Sequence, residues 1–187
     1  MLIDLSIIVT KFKKEKAFEH EKFISFGHLG THLDTMNKEF PLHFVKREGI
    51  VFNVKGMINT EIDVNHIDLS LVKPDMFVAL YSGFPEINSY GSKGYFSDHP
   101  QLSDNLIDAL LETKISLIGI DFAGVRRGKE HTPKDQYCAE KGVFIVENLC
   151  NLDKIVLNNK SAVCIINTYP IRFEGLSGLP CRVVAEV

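Results

Sequence analysis

The sequence predicts a single α/β domain over residues 1–187, strand-rich in its first half, with two main helices packed on the sheet. Three observations lead there. Short runs of β-branched and aromatic residues, bounded by turn formers, fill the first half. One later stretch carries helical rather than alternating periodicity, and a second ends at a glycine placed to close a helix. Each of those stretches then leads into an apolar run of strand length. With 45% hydrophobic and 24% charged residues, the 187-residue chain has globular composition and enough length to bury a core.

In order along the chain, "LIDLSIIV" near the start, "GIVFNV" at 49–54 and "MFVALYS" at 76–82 read as strands. Ser103 is placed to cap a helix over 103–112, where Leu106, Ile107, Leu110 and Leu111 fall on one face. "ISLIGID" at 115–121 is apolar on both faces, as a buried strand should be, and completes a strand–helix–strand unit with 76–82. A shorter helix covers "KDQYCAEK", closed by Gly142. The strand "VFIV" runs straight into Glu147, and "AVCIINTY" and "RVVAEV" are late strands. No linker, repeat or low-complexity stretch divides the chain.

A formal net charge of −3 gives no basic footprint for nucleic acid or an anionic membrane. The clusters Lys11-Phe12-Lys13-Lys14 and Arg126-Arg127 are short enough to be solvated surface. No apolar run has the length of a membrane span, and "MLIDLSIIVTKF" lacks the marks of a secretion signal, so a cytoplasmic location is expected. Cys138, Cys150, Cys164 and Cys181 form no C-x-x-C pair and read as reduced, mostly buried thiols.

The stretch "FGHLGTHLDTMNKEF" carries the first chemistry. His28 and His32 stand four apart, as on one face of a helix, but Leu29 takes the place of a glutamate base and Gly30-Thr31 is poor helical material. A strand or tight loop serves better. His32 and Asp34 then point to one side, and Gly30 lets the backbone bend so that His28 joins them. Two imidazoles and a carboxylate suit Zn²⁺ or Mn²⁺. A polar surface loop is the bland alternative.

Those residues also carry a resemblance. "HLGTH-L-D" resembles the H-x-G-T-H-x-D signature of the cyclase family of metal-dependent hydrolases, which includes bacterial kynurenine formamidase and isatin hydrolase. "VALYSGF", "YFSDHPQLSDNLIDALLETKISLIGID", "KGVFIVENLCNLD" and "GLSGLPCRVVAEV" are similar to further family segments, so the likeness covers nearly the whole chain. It implies a swivelling β/β/α domain, assembled as a homodimer or homotetramer, that opens amide-type bonds of small molecules with one or two zinc or manganese ions. It also implies that His28, His32 and Asp34 are metal ligands, and that Glu147 is the later carboxylate ligand. Where the family has a histidine twelve residues before that glutamate, this chain has Asp135. The family's acid/base histidine, in Asp-x-Pro-x-His, matches Lys38, with Met36 in the proline's place; a Pro-x-His occurs five residues late, ending at His43.

Geometry supports Asp135 independently. A helix from Asp135 to Gly142 advances roughly 10 Å, and a strand from Val143 to Glu147 returns roughly 13 Å. Both carboxylates then finish near one sheet edge, where α/β folds build their sites. A carboxylate for an imidazole tilts the preference toward Mn²⁺ or Mg²⁺. A helix-terminal carboxylate favoured by the macrodipole explains Asp135 equally well, and His131, four residues earlier, is the alternative inward-facing group.

The expected chemistry is hydrolysis by metal-activated water, with Lys38 or His43 protonating the leaving nitrogen. The second reading is a family member with an altered acid/base site, which binds metal or a small ligand without amide hydrolysis or runs another metal-dependent reaction. Tyr90, Tyr95, His99, Phe84 and Phe122 read as pocket lining or core; Arg126 and Arg127 as a carboxylate clamp or solvated loop.

Overall fold

The structure is a computed structural model, described over residues 1–8, 27–173 and 176–187. The Lys11–Lys14 cluster and the end of the first expected strand, from Val9, lie outside the described residues. The described part of that strand is shorter than expected, because its pairing stops at Asp4 and Ser6 instead bridges Leu149.

Ten strands and four α-helices are laid out along the described chain. The strands are β1 (Leu2–Asp4), β2 (His32–Asp34), β3 (Lys46–Asn53), β4 (Glu61–Ile62), β5 (Phe77–Tyr81), β6 (Gln101–Leu102), β7 (Leu117–Ile120), β8 (Phe144–Glu147), β9 (Ser161–Pro170) and β10 (Gly178–Glu186). The helices are α1 (Lys93–Ser97), α2 (Asp104–Glu112), α3 (His131–Glu140) and α4 (Asp153–Val156). Strands β3, β5, β7 and β8 run parallel, and β2, β10 and β9 continue antiparallel until β9 meets β3. Seven strands thus close on themselves, β1 extends the sheet from β10, and β4 pairs with β6 apart from it. This is the expected α/β architecture, but among the described residues the strands are not concentrated in the first half: the two longest, β9 and β10, close the chain.

Side chains alternate between two cores. On β3, Ile50 and Phe52 join Val78, Leu80, Ile118, Ile120 and Ile145 on the face covered by Leu106, Ile107 and Leu110 of α2. Val51 joins Phe77, Ala79, Leu117, Val146 and Leu33 on the other face. Burial on both sides explains why the parallel strands read as continuous apolar runs.

Helix α2 starts where its cap foretold, the Ser103 hydroxyl accepting from the Leu106 N–H at 3.0 Å. Helix α3 ends at the expected glycine, Gly142, in the left-handed region at φ +79°. It begins a turn earlier than the sequence predicts, at His131 rather than Lys134. Pro133 explains the difference: within a first turn its missing N–H leaves no hydrogen bond unmade, so it does not stop the helix. No helix among the described residues is long and apolar enough to cross a membrane.

Candidate metal centre

Strand β2 aligns His32 with Glu147 and Asp34 with Ile145 of β8. Leu33 turns into the inner core, so His32 and Asp34 emerge on the opposite face, where Ile145 and Glu147 also point. Helix α3 lies against β8 and brings His131 and Asp135, one turn apart, to the same place. This is the carboxyl edge of the parallel strands, where open α/β sheets leave room for ligands.

The distances tie six side chains into one cluster. His28 Nδ1 lies 3.1 Å from Asp34 Oδ1. His32 Nε2 lies 3.5 Å from that same oxygen and 3.5 Å from Glu147 Oε2. His131 Nε2 is 2.9 Å from Glu147 Oε1 and 3.1 Å from Asp135 Oδ2. His32, Asp34, Asp135 and Glu147 are buried, and His28 and His131 are half-buried.

The buried charges of the cluster strongly perturb His32, His131, Asp34 and Asp135. Burial works against a charge on His32, yet the Asp34 and Glu147 carboxylates outweigh it and raise its pKa to about 9. His131 is likewise opposed by burial but raised to about 11 by Asp135 and Glu147. Burial also resists ionisation of Asp34, but His32 and His28 hold it well below the usual carboxylate range. Asp135 goes the other way: burial, with the charges on Asp34 and Glu147, pushes it above that range against the His131 hydrogen bond.

An outer layer fixes the inner one. His32 Nδ1 lies 2.9 Å from the Gly30 carbonyl oxygen, which also accepts from the Asn148 side-chain amide at 2.9 Å. That contact gives Nδ1 the proton and leaves Nε2 to face the cluster. Asn148 is itself held by the Tyr95 hydroxyl, which donates to its Oδ1 at 2.8 Å, and its carbonyl accepts from Thr31 at 2.7 Å. The Tyr90 hydroxyl accepts from the Gly30 N–H at 2.7 Å. Two glycines make room for the outer imidazoles. A Cβ on Gly178 would lie 2.6 Å from His28 Cε1, and one on Gly124 2.9 Å from His131 Nε2.

The residues present fit a divalent cation. Asp34 Oδ2 and Asp135 Oδ1 are buried carboxylate oxygens without a partner among the described residues, an arrangement that costs free energy unless a cation meets them. His28, His32 and Asp34 converge within 4.8 Å of one another, as do His131, Asp135 and Glu147. All five ligand positions expected from the sequence therefore come together. His131 joins Asp135 instead of replacing it; the helical i, i+4 spacing was its signal. Asn148 was not singled out as an orienting residue, and only its place beside Glu147 pointed to it.

The two expected proton-transfer residues stand otherwise. Lys38 is exposed, in a turn closed by its N–H on the Thr35 carbonyl, and Asn37 of that turn accepts from Gln136, the neighbour of Asp135. His43 is exposed in the 3₁₀ turn Leu42–Phe44, its ring 4.8 Å from that of Phe44. Phe44 packs on Phe144, at the start of β8, and Glu147 is three residues further on, roughly 10 Å away. Among the described residues, no hydrogen bond or ion pair joins Lys38 or His43 to the six ligand candidates. Arg126 is occupied by Glu61, Glu130 and the Leu102 carbonyl, and Arg127 by Gln101 and Asn59, so neither is an open clamp.

His99 is buried, its ring stacked on Phe122 at 5.6 Å and its Nδ1 2.6 Å from the Pro100 carbonyl. Burial, helped by His131 and Arg127, lowers its pKa from 6.5 to about 4. The imidazole is thus neutral when folded, and below about pH 6.5 the unfolded chain takes up the proton first. Its contribution is whole above that pH and is lost as pH falls toward 4, the loss reaching about 2 kcal/mol by pH 5. Urea unfolding in chelator at pH 7.5 and pH 5 should show wild type losing about 2 kcal/mol more than His99→Phe. Equal losses would remove this account of His99.

Comparisons with known proteins agree with this architecture. The family model described as "Putative cyclase" matches residues 3–126, which contain the first histidine motif. A solved structure described as a potential metal-dependent hydrolase with cyclase activity is 18% identical, with a TM-score of 0.73 over 99% of this chain and 96% of that one. A crystal structure of a novel cyclase is 10% identical, with a TM-score of 0.72 over 100% of this chain and 88% of that one. Isatin hydrolase A from Labrenzia aggregata, bound to benzyl benzoate, is 14% identical, with a TM-score of 0.69 over 99% of this chain and 93% of that one. No curated protein matches. At such identities the structural likeness establishes the fold, and the family model establishes membership: the chain belongs to the cyclase family.

Proposed function

We propose that this protein is a metal-dependent hydrolase that opens the amide-type C–N bond of a small molecule. The observation that carries the reading is the convergence of three imidazoles on three buried carboxylates, two of the carboxylates with an orphaned oxygen, at the carboxyl edge of the sheet. Fold likeness to an isatin hydrolase and to a potential metal-dependent hydrolase supports it as analogy.

His28, His32 and Asp34 would hold the ion, with Glu147 beside them. A divalent ion there supplies Lewis acidity toward a carbonyl and makes hydroxide available near neutral pH. The chain's own residues do the rest. The Gly30 carbonyl, held in place by Asn148, accepts from His32 Nδ1, so the neutral imidazole turns its Nε2 lone pair toward the other ligand groups. Burial of Asp34, Asp135 and Glu147 keeps bulk water from screening them, which strengthens every charge in the site. Lys38, in the turn tied to the helix of Asp135, is the group assigned to proton delivery to the leaving nitrogen. His43, at the far end of β8, is not given that role.

A panel of N-formylkynurenine, isatin and simple cyclic amides tests the proposal. Turnover of at least one member is expected, abolished by a chelator and restored by adding back Zn²⁺ or Mn²⁺. Metal-loaded protein that opens none of them would favour the second reading, binding without amide hydrolysis. The exposed positions of Lys38 and His43, apart from the ligand groups, are the observation on that side.

A further inference from the structure

The six ligand side chains divide into two groups of unlike donors. His28, His32 and Asp34 offer two imidazole nitrogens and one carboxylate; His131, Asp135 and Glu147 offer one nitrogen and two carboxylates. Each group contains one buried carboxylate oxygen without a partner among the described residues, Asp34 Oδ2 in the first and Asp135 Oδ1 in the second. One orphan in each group calls for a cation in each. Glu147 stands between them, Oε2 3.5 Å from His32 and Oε1 2.9 Å from His131, so one carboxylate faces both.

Donor chemistry separates the two positions. Nitrogen-rich sets suit Zn²⁺, whereas carboxylate-rich sets suit harder ions such as Mn²⁺. We propose that this protein binds two unlike divalent ions, Zn²⁺ on His28, His32 and Asp34, and Mn²⁺ on His131, Asp135 and Glu147. The inference deepens the metal-dependent reading above, but it concerns ion identity and is tested without turnover. His131 and Asp135 carry it. A helix with a second histidine at 135 would make the two groups alike; the carboxylate there, with the imidazole one turn back, makes the second group oxygen-rich.

Zn²⁺ binds most protein sites more tightly than Mn²⁺ does, so zinc must be limited for the preference to show. Metal-free full-length protein is dialysed to equilibrium against one equivalent of Zn²⁺ and an excess of Mn²⁺, and bound metal is counted by elemental analysis. One zinc and one manganese per chain are expected, with the electron paramagnetic resonance spectrum of isolated Mn²⁺. With Mn²⁺ alone, two ions sharing Glu147 should give an exchange-coupled spectrum. Gly178→Ala, which crowds the His28 ring without removing a ligand, should weaken zinc binding about tenfold or more and spare the manganese. Asp135→Asn should do the reverse.

A single ion per chain, or both ions weakened together by either variant, would overturn the proposal. Should a variant not fold, the metal count and spectrum of the unaltered protein decide alone. Both ions bound without turnover of any amide leaves this inference standing and removes the hydrolase. Turnover with one zinc and no manganese uptake does the opposite.

Discussion

His32→Ala is expected to lower kcat/KM for any amide this protein opens by more than about 100-fold, because removing only an outer partner of a ligand already costs about 10–100-fold. No other residue of the site is so enclosed by its function. Its Nε2 lies 3.5 Å from both Asp34 Oδ1 and Glu147 Oε2, and its Nδ1 is locked on the Gly30 carbonyl. The ring therefore separates two buried carboxylates. Deleting it removes a nitrogen donor and leaves Asp34 and Glu147 facing each other across the gap. The loss should persist in saturating metal, since the missing donor is not restored by mass action. Steady-state kinetics beside a metal count and circular dichroism would check it. A folded variant with activity within tenfold of wild type would mean that His32 is no ligand.

The second large effect is on stability. Gly119→Ala should destabilise the fold by about 1–3 kcal/mol, the usual cost of forcing one extra carbon into a packed core. A Cβ at Gly119 would run into the Phe77 ring and come within 2.7 Å of Leu149 Cδ1. Phe77 and Leu149 are fully buried, and Gly119 is pinned between Ala79 of β5 and Val146 of β8, so its backbone has nowhere to go. Relief of the Leu149 contact shifts a residue two positions beyond Glu147, so metal affinity should fall as well. Chemical denaturation of wild type and variant in chelator isolates the packing cost. An unchanged midpoint would show that the Phe77 ring has room to turn aside.

Local pattern carried most of the elements. The strands at 49–54, 76–82 and 115–121 stand within a few residues of their expected places because their short apolar runs, rich in β-branched and aromatic residues, are buried on two faces. Ser103 and Gly142 set one end of each main helix because capping satisfies backbone groups within four residues of the cap. The start of α3 slipped by a turn, since a proline in a first turn reads from sequence as a boundary, and of the first expected strand only Leu2–Asp4 forms among its described residues.

The candidate site was legible where it is local and hidden where it is not. His32 and Asp34 share a face through the period of a strand, and their motif alone identified them as ligands. Whether His131 or Asp135 turned inward was not decided at that level, because one helix face holds both. Neither was the fate of His43, whose Pro-x-His matches in type but is carried by Phe44 to the start of β8. The sequence by itself determined the two-residue spacing of His32 and Asp34, the caps of the helices and membership of the family. Only the tertiary structure decided that Glu147 pairs with His32 and that α3 delivers two more ligands to the same spot. The reason is physical: that register joins strands more than a hundred residues apart, and it is set by fitting Leu33 and Val146 into one core, a condition that no short stretch of chain contains.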